Sequence, residues 1–180
     1  MLQKIVWGMA TLALSVALTA CTAGQAVELP ERDVAIDVNT ALEAQNMAMS
    51  GLMSGNVTLN EAQFSSLLTE LLKANSGANN PIESITAWFE PDAIYLQVDV
   101  VDGVLPATIG DKLAVAGTID VADGRLVLDL SQASAGNYLV EGASLAPIND
   151  QINTALGNFN LGVPLQVETD EGSVTLSMAP

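Results

Sequence analysis

Carboxylates are the only abundant reactive groups in this chain. Its 180 residues carry 21 Asp and Glu against 5 Lys and Arg, with no histidine and one cysteine, Cys21. Two facing carboxylates can divide acid and base work at a glycosidic bond, and several together can hold calcium. The segments nearest to such a pattern are Asp99…Asp102-Gly103 and Asp120…Asp123-Gly124. Both are D-x-x-D-G, whereas a calcium loop needs D-x-[DN]-x-[DN]-G and a distal Glu. They read as turns, where Asp and Gly supply the backbone angles of a tight reversal. The remaining acids fall at strand edges, caps and turns, and none is expected to be buried. No metal, cofactor or enzymatic activity is therefore expected. Catalysis by Ser-His-Asp or Cys-His, and zinc held by imidazole, need a histidine that is absent. A formal charge of −16 leaves almost nothing to displace phosphate counterions, so nucleic acid is not an expected partner.

The lone thiol cannot close an internal disulfide, so its surroundings matter more than its redox chemistry. Lys4 is followed by an uncharged run from Ile5 to Ala20. As a helix this run would span about 24 Å, short of the roughly 30 Å hydrocarbon layer. A short apolar run ending in small residues is the secretory pattern. A membrane anchor, or an ordinary signal with a chance cysteine, is the other reading. Leu18-Thr19-Ala20-Cys21 resembles the lipobox of bacterial lipoproteins. That resemblance implies a diacylglyceryl group on Cys21, cleavage just before it, and a signal peptide over residues 1–20. It places the mature protein in the cell envelope, on the extracytoplasmic side, with a membrane as partner through the lipid on Cys21. In Gram-negative families, Thr22 after the cysteine resembles outer-membrane sorting. Two acyl chains suffice for stable attachment, where one is marginal. Without residues 1–20 the chain holds four cations against 21 acids, a formal −17. Such a charge does not attract it to anionic headgroups.

Residues 21–32 read as a lipidated tether, small and polar with Pro30 and no period. Residues 33–180 read as one domain. Val34, Ile36 and Val38 alternate with Asp33, Ala35 and Asp37, which predicts a short strand or extended lead-in. Thr40 and Glu43 form a capping box for a helix over 41–53. Its apolar residues are Leu42, Met49, Leu52 and Met53, padded by alanines. Met47, Met49 and Met53 fit either a core or an adaptable binding surface. Asn60 and Gln63 cap a second helix, with Leu59 as staple and Phe64, Leu67, Leu68, Leu71 and Leu72 as an apolar stripe. Turn chemistry predicts three hairpins: 82–90 with 93–101, 112–121 with 125–133, and 163–169 with 173–178. A third helix over 144–157 carries Leu145, Ile148, Ile152 and Leu156. Alternating strands leave one sheet face apolar, and the helices are available to cover it. The fold class is therefore α+β: a curved antiparallel sheet of about six strands, in three hairpins, packed on two or three helices.

The block Gly55-Asn56-Val57-Thr58-Leu59-Asn60-Glu61-Ala62-Gln63-Phe64 with Leu67-Leu68 resembles an element of small bacterial envelope proteins of the YpmS and LmeA kind, in which a short strand opens a helix. The likeness continues through Leu113–Thr118, Asp123–Leu126 and Ile148–Leu156, and covers about 34–178. Those proteins look related to tubular lipid-binding (TULIP-like) domains, whose sheet wraps a long helix and leaves an apolar groove. The resemblance implies non-catalytic binding of a lipid or other apolar ligand between helix and sheet. The residues expected to line the groove are Phe64, Leu67, Leu68 and Leu71 on the second helix and Leu96, Val98, Leu113, Val115 and Leu128 on the sheet. A filled core uses the same residues. The second reading is thus a structural or partner-binding lipoprotein with an envelope protein as partner and no small ligand. Trp88, Phe89 and Tyr95 on the first hairpin fit core packing or a partner-binding patch. Tyr138 and Phe159 are placed to line a groove mouth.

Overall fold

The computed structural model describes residues 26–75, 80–103, 110–141, 145–157 and 165–179. The architecture is α+β, with helices packed on antiparallel sheet. In chain order the described elements are α1 (Val38–Ser54), β1 (Asn56–Asn60), α2 (Glu61–Asn75), β2 (Ile82–Glu90), β3 (Ala93–Val100), β4 (Lys112–Ala122), β5 (Arg125–Ala135), β6 (Tyr138–Glu141), α3 (Ala146–Gly157), β7 (Leu165–Asp170) and β8 (Ser173–Met178). The three expected hairpins are β2–β3, β4–β5 and β7–β8, each antiparallel. Asp123 and Gly124 both take positive φ, 53° and 71°, which gives the second hairpin a turn whose twist matches its strands.

The described strands number eight in two sheets, where one sheet of about six was expected. The five-stranded sheet runs β2-β3-β4-β5-β6, and the three-stranded sheet runs β1-β8-β7. The third hairpin separates from the others because β8 takes β1 as its partner, with Val57 opposite Leu176 and Leu59 opposite Val174. β1 and β6 have five and four residues, too few for alternation to stand out. Val34 and Ile36 lie in irregular chain, and Val38 opens α1. In the third hairpin Leu165 faces Met178 and Val167 faces Leu176, while Val174 faces Thr169. Val163 and Phe159 lie outside the described residues, as does part of the 76–81 stop after α2.

Two helix starts are built differently. At α2 the Asn60 and Gln63 side chains exchange bonds with each other's backbone N–H, at 3.0 and 2.9 Å, closing the predicted box. At α1 the cap is Asp37 and not Thr40. Asp37 Oδ1 accepts the N–H of Asn39 at 2.9 Å and of Thr40 at 3.0 Å, and its Oδ2 accepts the Thr40 hydroxyl. The helix starts three residues early because an ionised carboxylate caps and also favours the positive helix end. The Thr40 hydroxyl first, then the Thr40 N–H, hold the Asp37 carboxyl below its usual value. A depressed folded value means that the contribution is complete above the unfolded value, about 4, and is lost as pH falls through the folded one. Acidification below about pH 4 is therefore expected to fray the first turn of α1 before the sheets respond. Carboxyl 13C titration of Asp37 alongside amide exchange at Asn39 and Thr40 checks this.

Helix α1 also packs the opposite way round from its expected polarity. Ala41, Ala44 and Ala48 are buried, while Leu42, Met47, Met49 and Met53 are exposed, Met53 at 89%. The three methionines are therefore not core. The reason is distance: a Cβ on Gly51 would come within 2.7 Å of Asn56 O and of Val57 Cβ. At Gly51 the helix lies too close to β1 to admit any side chain.

Helix α2 closes one edge of the large sheet. β2 is an edge strand, so the backbone groups on its outer side need partners. Side chains at fourfold spacing on α2 supply them. Thr69 Oγ1 accepts from Ile85 N–H at 3.1 Å and donates to Ile85 O at 3.2 Å. Ser65 Oγ accepts from Ala87 N–H at 2.8 Å, and Glu61 Oε1 accepts from Phe89 N–H at 3.0 Å. Four helical residues rise about 6.0 Å and two strand residues about 6.6 Å, so the two ladders keep step over three rungs. Beyond the reach of β6, β5 is served likewise by α3: Asn153 accepts from Leu128 N–H and donates to Leu128 O, both at 2.8 Å. Thr69→Val keeps the shape and removes both bonds to a buried edge. It is expected to lower stability by about 2 kcal/mol, read as a shift in the urea midpoint at unchanged slope.

Candidate functional site

The nine residues expected to line a groove all join one contiguous core. Phe64, Leu67, Leu68, Leu96, Val98, Leu113, Val115 and Leu128 are buried, and Leu71 packs against them half-buried. Among the described residues, they do not all line one space. Phe64, Leu67, Leu68 and Leu71 meet Leu59, Leu126, Leu156 and Leu176 around a cavity of about 10 Å³. That is room for about one water, where a ligand pocket for a drug-sized molecule has ~300 Å³ or more. Leu96, Val98, Leu113, Val115 and Leu128 lie in the core away from that cavity. Phe64 meets Phe89 edge to face, with ring centroids 5.1 Å apart at 76°. α2 bonds the outer side of β2, and α3 bonds β5 where β6 does not reach.

Leu67 and Leu71 have a second exposure, outward. With Val38, Ala41, Leu42 and Ala74 they wall a trough of about 280 Å³ between α1 and α2, and its polar lining is Gln45 and Glu70. Lys73 pairs with Glu70 at 2.9 Å. Of the aromatic residues on the first hairpin, Phe89 is fully buried and Trp88 nearly so, while Tyr138 on β6 is exposed.

The strongest polar cluster was not foreseen. Glu61, in the first turn of α2, is buried at 8% exposure, which overturns the expectation that no acid would be. Arg32 Nη2 donates to Glu61 Oε1 at 2.7 Å and to Phe89 O at 3.0 Å, and Nη1 donates to Glu90 Oε1 at 2.8 Å. Glu171 stands 3.5 Å from Nη1. The Trp88 indole N–H donates to Arg32 O at 2.8 Å. The Glu61 and then the Glu90 hydrogen bonds push the Arg32 guanidinium further up from an already high value. Arg32 was expected to end a free tether, yet it is fastened to the body. Val27 N–H also donates to Ser134 Oγ at 2.9 Å. From Cys21, whose lipobox lies outside the described residues, six residues precede that first fastening. Six residues reach about 20 Å at most, half the reach of the full stretch. The missed signal is Glu61-x3-Ser65-x3-Thr69, a polar stripe at helical period beside the leucine stripe.

Among the described residues no three His, Cys, Asp or Glu side chains are grouped to hold a metal ion, and no helix is long and apolar enough to cross a membrane. No family model matches the chain, and neither a curated protein nor a solved structure matches it.

Proposed function

We propose that this chain is an envelope lipoprotein anchored through diacylglyceryl on Cys21, and that its domain, a TULIP-related form with the groove closed, works by binding another macromolecule at its surface without catalysis. The observation that carries the choice between cargo and partner is the cavity of about 10 Å³ where the acyl groove was expected. The −17 charge of residues 21–180, four cations against 21 acids, agrees with attachment by lipid, since anionic headgroups repel it.

Native mass spectrometry of the full chain, released from membranes in mild detergent, tests both halves. The expected mass is that of residues 21–180 plus a covalent diacylglyceryl, with no further lipid held at fixed ratio. A stoichiometric non-covalent lipid would sink the partner reading and restore the cargo one. Cys21→Ser is expected to move the protein out of the membrane fraction; unchanged fractionation refutes the anchor.

A further inference from the structure

The outward stripe of α1 and the trough beside it are not explained by folding. At 100° per residue, Val38, Leu42, Met49 and Met53 fall within about 60° of one another, and each is more than half exposed. The stripe runs about 22 Å along the helix. α1 contains a single charged residue, Glu43, in a chain of net −16. Beside it, Val38 and Leu42 face Leu67 and Leu71 across the trough of about 280 Å³.

We propose that the α1–α2 trough docks an amphipathic helix with an apolar stripe and basic flanks, a reading that rests on the partner-binding function above. A concave space between two helices accepts a ridge of side chains from a third. Met49 and Met53 continue the exposed face of α1 beyond the trough, and methionine adapts to the surface it meets. A bilayer would be met by a convex apolar ridge, and its anionic lipids repel this chain. A second copy would bring its own large negative charge against the first. Positive flanks answer the net negative field of the molecule, since the one acid in the lining, Glu70, already pairs with Lys73.

The test uses the full chain in phosphatidylcholine nanodiscs and a fluorescent helical peptide of about 16 residues, leucine on one face and lysine elsewhere. Saturable one-to-one binding is expected, with shifts in the labelled methyl signals of Met49 and Met53. Leu42→Glu with Met49→Glu, both at exposed positions, is expected to weaken binding by about tenfold or more, although it adds two negative charges. Equal or tighter binding by that variant means attraction by charge alone and overturns the proposal. So does the absence of saturable binding up to about 1 mM peptide. Broadening of the Met49 and Met53 methyls by spin-labelled phosphatidylcholine without peptide overturns it in favour of the bilayer. A doubled mass that the variant abolishes overturns it in favour of a second copy. Each of these failures leaves the closed-groove reading standing, since that reading falls to a stoichiometric interior lipid.

Discussion

Phe89→Ala is expected to lower stability by about 3–5 kcal/mol, the range for emptying a buried phenylalanine site. Phe89 is fully buried, and its ring stands edge to face on Phe64, 5.1 Å away. Such a ring pair adds about 0.5–1.5 kcal/mol beyond area. The site has little freedom to collapse. The Phe89 N–H is held by Glu61, and its carbonyl accepts from both Arg32 and Gly172 N–H, each at 3.0 Å. With the backbone fastened on both sides, the wall cannot move in to fill the void. A domain of this size shifts by roughly 2–4 °C per kcal/mol, so thermal unfolding by circular dichroism is expected about 10 °C lower. A loss below about 1 kcal/mol would mean that the contact between α2 and the large sheet is not the centre of the fold.

Arg32→Met has the second large effect. Methionine keeps the apolar stem and removes every donor, leaving Glu61 with the Phe89 N–H alone. Breaking a fully buried pair costs about 3–5 kcal/mol. Arg32 is 31% exposed, so solvent screening reduces the expected loss to about 2–3 kcal/mol. Adding Glu61→Gln is expected to restore part of it, because glutamine still accepts from Phe89 N–H and buries no charge. The double variant is then more stable than Arg32→Met alone. A double-mutant cycle in urea reads this as a coupling of about 0.5–3 kcal/mol, and strict additivity would show that the two groups do not act together. A raised folded value for Arg32 means that its share is complete below the unfolded value and lost only above the folded one. No accessible alkaline pH releases the arginine end.

The hairpins were legible because turns are local: Asp123-Gly124 and Gly172 force their reversals whatever surrounds them. The α2 cap was legible for the same reason. The orientation of α1 was not. Its sequence carries two stripes at the same period, one small and one large, and burial of the larger is the ordinary choice. Here proximity decides, through Gly51 against Val57, and proximity is a tertiary fact. Glu61 was misplaced because an acid in a first helical turn has a sufficient local explanation in the helix dipole. Its second role appears only when β2 lies alongside. Phe64, Leu96 and Val115 were recognisably interior, and they are buried in one core, but an occupied interior and a hollow one call for the same side chains.

The side-chain ladder along β2 bears on how copies of this molecule coexist at high density. An unprotected strand margin invites its counterpart on a neighbouring molecule, and repeated pairing of that kind grows into fibrils. Here Thr69, Ser65 and Glu61 already occupy the docking positions at Ile85, Ala87 and Phe89, and Asn153 does so at Leu128. An incoming strand would have to evict a helix before its first bond could form. Strand pairing between copies is thereby blocked along these two margins, by hydroxyl, amide and carboxylate groups that a hydrophobicity plot of the chain would pass over.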